Sequence, residues 1–141
     1  TAGQEKYKSI TNSYYVNSKG AIVVFDLSRK SSFDNTDKWI KDVLEITGKE
    51  ISLILVGNKT DLTDNRVIEY NEGLEKAKKY NIQYKETSAL NGENVKEVFQ
   101  ILTDSIYDNF LSKINLDDED EYKNSNVLLK TQVNKDDNCK C

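Results

Sequence analysis

ISLILVGNKTDL, residues 51–62, decides how this chain is read. Its first half, Ile51 to Val56, is apolar at every position but Ser52 and rich in β-branched residues. That pattern belongs to a strand buried on both faces of a parallel sheet, because a strand with one solvated face alternates instead. Gly57 ends the run, and Asn58, Lys59, Thr60 and Asp61 follow at once. In parallel α/β sheets ligands bind in the loops beyond the carboxyl ends of the strands, so this polar tetrad stands where chemistry is expected.

The flanking sequence supplies the rest of such a sheet. Upstream, AIVVFDLS at 21–28 repeats the apolar run before Asp26. Between the two runs, SSFDNTDKWIKDVLEITGK sets Trp39, Ile40, Val43 and Leu44 at helical spacing, with Ser32 or Asp34 to cap the start and Gly48 to mark the stop. Strand, helix and strand make a βαβ unit. Downstream, NEGLEKAKKY at 71–80 reads as a second helix leading into IQYKETSA at 82–89, a third strand. Val95, Val98, Phe99, Leu102, Ile106 and Phe110 then follow the three-and-four spacing of a third amphipathic helix. The expected fold is therefore α/β, three parallel strands with flanking helices, over a domain at 1–113. From 114 to 141 the polar stretch DDEDEYKNSN and its neighbours predict a solvated, disordered tail.

Composition narrows the function classes. The 141 residues, 37% hydrophobic and 31% charged, suit one globular domain. A net charge of −4 argues against a broad nucleic-acid surface, which needs clustered Lys and Arg. The absence of histidine removes the usual general base and the commonest metal ligand, and no metal site is expected. The two cysteines, Cys139 and Cys141, leave the body without a disulfide framework, which fits a reducing compartment. No apolar run approaches the roughly 20 residues of a membrane-spanning helix.

Three short motifs fall at strand ends or at the start of the chain. In NKTD at 58–61, the Asp61 carboxylate can accept from both the ring N–H and the exocyclic amine of guanine. Adenine lacks that donor pair and would leave the carboxylate unmatched. Asn58 can bridge the base to neighbouring loops, and the aliphatic stem of Lys59 can lie along the base plane. The plain alternative is a strand-to-turn connection in which Asn and Asp suit the backbone. In ETSAL at 86–90, the Ala89 N–H can donate to the guanine oxo group while Ser88 braces the loop; the alternative is an ordinary strand end. In TAGQE at 1–5, Gly3 permits close approach to a terminal phosphate and the Gln4 amide can orient an attacking water; the alternative is a polar coil.

In this order and on this alternation of strands and helices, TAGQE, NKTDL and ETSA resemble the Ras superfamily of small GTPases. KYKSITNSYY, GAIVVFDLS, KWIKDV and the terminal CKC resemble the Rab family within it, and EGLEKAKKYNIQYKETSA is similar to its Golgi-associated subgroup. The resemblance implies GTP and GDP as ligands, Mg²⁺ as cofactor, Gly3 as the phosphate-sensing switch residue and Gln4 as the catalytic, water-positioning one. It implies guanine binding by Asn58, Lys59, Asp61, Ser88 and Ala89. Leu90 departs from the lysine common after Ser-Ala in the family. Tyr7, Tyr14 and Tyr15 fall where family members present aromatics to effectors, with packing beneath the switch as the alternative. On its residues the Cys139-Lys140-Cys141 terminus can close a strained local disulfide, bind a soft metal weakly or carry lipid; the resemblance implies geranylgeranylation of Cys139 and Cys141, and two such lipids give stable membrane anchoring where one is marginal.

By the same resemblance the partners are guanine nucleotide, effectors, an exchange factor, a GTPase-activating protein, the Rab escort protein and the GDP-dissociation inhibitor. The implied location is the cytoplasm, cycling to the cytosolic face of Golgi or transport-vesicle membranes through lipid. The family's phosphate-binding loop and switch I threonine precede the TAGQE motif, and neither is in this sequence. The expectation is a carboxyl-terminal portion of a vesicle-trafficking GTPase, inactive and poorly folded alone, or else a truncated, non-catalytic interaction module.

Overall fold

A computed structural model describes residues 15–48, 51–112 and 114. The chain divides into two compact units, Thr1–Ile106 and Tyr107–Cys141. In the first, β1 (Gly20–Asp26), α1 (Lys30–Thr47), β2 (Ser52–Asn58), a 3₁₀ turn (Thr63–Asn65), α2 (Tyr70–Tyr80) and β3 (Gln83–Thr87) follow in order. A third helix, α3, begins at residue 95 and runs over 95–112. The strands form one parallel sheet in the order β1-β2-β3. The α/β architecture expected from the apolar runs is the one observed.

β2 is the central strand, buried from Ser52 to Gly57, which is why its sequence shows no alternation. Its odd residues and its even residues face different clusters. Leu53 and Leu55 join Val23, Phe25 and Tyr84 of the sheet, Phe33, Ile40 and Val43 of α1 and Ala77 of α2. Ile54 and Val56 join Val98, with Ile22, Ile101 and Leu102 packed around them, beneath α3. The central strand is thus covered on both faces, and the strand ends are left to the loops.

Local chemistry accounts for most boundaries. Gly48 takes a positive φ of 77° and returns its N–H to the Leu44 carbonyl, closing α1 as the sequence predicts. The start of α1 differs. Arg29, not Ser32 or Asp34, occupies the cap position, without a side-chain hydrogen bond. The Ser32 hydroxyl is engaged with the end of β1 instead, accepting from the Asp26 N–H at 3.0 Å and donating to the Arg29 carbonyl at 2.7 Å. α2 opens with a reciprocal capping box between Glu69 and Glu72 and closes on Asn81 in the left-handed region. In α3, Val98 is buried and Leu102 half-buried, but Phe99, on the stripe that the three-and-four spacing picks out, is 59% exposed. Spacing identifies a face of a helix and not how much of that face has a neighbour. Tyr15 is half-buried and packs on the α1 side of the core. Tyr7, Tyr14 and residues 115–141 lie outside the described residues.

Candidate guanine-recognition site

The carboxyl ends of the three strands bring the NKTD and TSA segments together. Asp26, Asn58 and Thr87 stand at the same level, since Asp26 registers with Asn58 and Asn58 with Thr87. The Asn58 Oδ1 accepts from the Thr87 hydroxyl at 3.1 Å and from the Ala89 N–H at 3.0 Å. One carboxamide oxygen therefore ties the loop after β2 to the loop after β3. A second tie joins them further out, where the Ser88 hydroxyl donates to Asp61 Oδ1. Ser88 is fully buried, so this donor holds the carboxylate without competition from water. A third tie runs between main chains, from the Thr60 N–H to the Thr87 carbonyl at 3.1 Å.

All five residues assigned to base recognition, Asn58, Lys59, Asp61, Ser88 and Ala89, are in this cluster. The role of one amide differs from its sequence reading. The Ala89 N–H is engaged by Asn58 and braces the site. Lys59 has a positive φ of 79°, unusual for a residue with a Cβ, and the Leu62 N–H returns to its carbonyl at 3.1 Å. The Lys59 Nζ lies 2.8 Å from Asp26 Oδ2. Gly3 and Gln4 lie outside the described residues, as do Cys139 and Cys141.

Several supporting residues carry no motif signal. Asp26 is one, and its carboxyl is held at about 2. Burial pushes it up, but hydrogen bonds from the Lys59 ammonium and from the Ser28 hydroxyl and N–H outweigh burial. Glu93 accepts from the Thr60 hydroxyl at 2.6 Å, and the Asn94 side chain donates to the Glu86 carbonyl at 2.9 Å, so the turn before α3 buttresses both loops. Arg66 meets Glu86 with both terminal nitrogens, at 2.8 and 2.6 Å, and Tyr84 donates to the same carboxylate at 2.7 Å. That bidentate pair fastens the outgoing end of the NKTD loop to β3. The Val67 and Ile68 N–H groups, both donating to the buried Leu27 carbonyl, fasten it to β1. The two parallel strands end alike, VVFD and LVGN, and that likeness is the only sequence signal that singles out Asp26.

Chemically, the cluster offers a fixed carboxylate, a carboxamide whose oxygen is already used, and a lysine pinned across the strand ends. It suits an edge-on match to a base with adjacent N–H donors. The N–H of Leu90, a residue 84% exposed, has no hydrogen-bond partner among the described residues and can meet an oxo group. Among the described residues no group of three or more His, Cys, Asp or Glu could hold a metal ion. Among them, no helix is long and apolar enough to cross a membrane.

Comparison with known proteins gives a consistent result. The family model described as "Ras family" matches residues 1–108. GTP-binding protein ypt3 of Schizosaccharomyces pombe is 42% identical over 107 residues, 76% of this chain and 50% of that protein. Ras-related protein RABA4b of Arabidopsis thaliana is 38% identical over 133 residues, 94% of this chain and 59% of that protein. Ras-related protein Rab-11B of Dictyostelium discoideum is 44% identical over 107 residues, 76% of this chain and 49% of that protein. The chain thus spans about half the length of the curated relatives it matches.

Proposed function

The chain belongs to the Ras family, in its Rab branch of small GTPases, and on that premise we propose that the protein is a GTP- and GDP-binding switch of vesicle trafficking. The described residues form its guanine-recognition half. The Asp61 carboxylate accepts from the ring N–H and exocyclic amine of guanine, the Leu90 N–H meets the oxo group, and the Lys59 stem lies on the ring face. Asn58, Ser88 and Ala89 hold the two loops in the geometry this requires. Gly3 senses the terminal phosphate and Gln4 orients the attacking water; Mg²⁺, when bound, would supply charge neutralisation at the phosphates. Geranylgeranyl lipid on Cys139 and Cys141 carries the protein between cytoplasm and the Golgi or vesicle membrane, where effectors, an exchange factor and an activating protein engage it, and the escort protein and dissociation inhibitor serve the lipidated form. Domain 1–113 holds the nucleotide, and 114–141 is the tether.

One observation carries this reading: Asn58 and Ser88 fuse the NKTD and TSA loops into one site around Asp61. Titration of the full chain with GDP, XDP and ADP tests it. Wild type should prefer GDP, and Asp61→Asn should reverse the preference toward XDP, whose 2-oxo group meets the new amide donor. The loss for GDP should be at least about tenfold, since mismatching a desolvated polar group costs roughly 1–3 kcal/mol. Equal affinity for all three nucleotides in wild type would refute base recognition at this site.

A further inference from the structure

We propose that Asp26 is a positioning residue for the guanine base, clamping the Lys59 ammonium so that the lysine stem is held ready as a platform for the ring face. The inference rests on the guanine reading above and deepens it.

Its basis is the way two strand ends cooperate. β1 and β2 stop in register, Asp26 opposite Asn58. The next residue on β2, Lys59, turns to a φ of 79° instead of continuing the strand. A lysine in that conformation is disfavoured unless its surroundings hold it there, and such strain gathers at functional positions. What receives the side chain is Asp26, with Oδ2 2.8 Å from Nζ. The carboxylate is itself immobilised. Its Oδ1 accepts the Ser28 N–H at 2.9 Å and the Ser28 hydroxyl at 2.6 Å, while the Ser32 hydroxyl engages the Asp26 backbone on both its N–H and its carbonyl. Each carboxylate oxygen thus has one task.

The two partners differ in exposure in the manner a platform requires. The Asp26 side chain is 16% exposed, and that of Lys59 is 46% exposed. The ammonium is committed to the less accessible partner, which leaves the four-carbon stem to meet a flat apolar surface. An unclamped lysine would lose its rotamer freedom when a ring settled on it; here that freedom is already lost on folding, which favours binding by preorganisation. The Asp26 carboxylate is engaged by Lys59 and Ser28 and acts on the base through the lysine stem, away from the edge that Asp61 reads. Its influence therefore falls on affinity and not on the choice of base.

The test is a set of GDP and IDP titrations of the full chain, IDP lacking the exocyclic amine that Asp61 reads. Wild type is compared with Asp26→Ala, Asp26→Asn, Lys59→Met and the Lys59→Met/Asp26→Ala pair, each with a circular dichroism check of folding. Asp26→Ala should weaken GDP and IDP by the same factor, about three- to fivefold, leaving their ratio unchanged. In the Lys59→Met background, where no ammonium remains to be held, the same change should cost less than about twofold. If Asp26→Ala does not fold, Asp26→Asn, which keeps an acceptor for Ser28, reads the loss of charge in its place. The platform is overturned if the Asp26 substitutions leave GDP affinity within twofold, if their effect persists undiminished beside Lys59→Met, or if they change the GDP to IDP ratio. Wild type that binds neither nucleotide would remove the guanine reading itself, and the platform with it.

Discussion

At Asp26, two opposing effects set the charge: burial disfavours the carboxylate, and hydrogen bonds from Lys59 and Ser28 favour it more strongly, bringing the pKa from 3.8 to about 2. A carboxyl depressed in the folded state contributes stability that is complete above its unfolded value and is lost as pH falls through the folded one. The window here is pH about 4 down to about 2. Asp26→Asn should lower stability at pH 7 by up to about 2 kcal/mol, less whatever solvent screens at the half-exposed Lys59, and should flatten the decline in that window. Urea unfolding of both proteins at stepped pH reads the difference, and parallel curves would show that Asp26 is not ionically engaged. Asp61 and Lys59 were visible in the sequence because a four-residue motif carries them. Asp26 was not, because its partner lies 33 positions on and only the strand register brings the two together.

Among the elements, α2 shows a local preference overruled by packing. Gly73 sits in its buried face, where alanine would improve helix propensity by about 1 kcal/mol. A Cβ there would run into the Tyr84 ring on β3, which is itself stacked with Phe25 and hydrogen-bonded to Glu86. Gly73→Ala should therefore destabilise the protein by about 1–3 kcal/mol, as overpacking does. A thermal melt decides the sign, and a raised midpoint would show that α2 can move off Tyr84. Glycine in a sequence reads as flexibility or a turn, whereas here it is clearance for an aromatic ring from another element. Ser32 illustrates the same limit. Its position suggested a helix cap, but the end of β1 lies close enough to take its hydroxyl.

Over the whole sheet, two faces carry the stability unequally. Ile40, on the inner face of α1, is fully buried, and Val24, on β1, the outer strand among the described residues, is 56% exposed. Ile40→Ala should cost about 2–5 kcal/mol, and Val24→Ala well under half of that, because only the first empties a packed volume. Chemical denaturation of the two variants checks the contrast, and equal losses would mean that the α1 face is not the core. The two helices on that face are also joined by charge. Asp37 on α1 receives Lys76, at 2.7 Å, and Lys79, at 3.0 Å, from α2. Burial would raise its carboxyl, but those hydrogen bonds and the one from Tyr80 hold it well below the usual range. The sequence alone determined the fold class and the places of the NKTD and TSA segments, because a parallel strand buried on both faces requires a near-continuous apolar run and the polar residues that follow it mark the strand ends. Only the tertiary structure decided how those motifs are held: that the Asn58 oxygen spans two loops, that the Ala89 N–H is spent on it, that Asp26 anchors Lys59, and that Phe99 stays exposed. Each of these depends on strand register or on which helix covers which face, and both are settled by contacts between residues too far apart in the chain for any local pattern to encode.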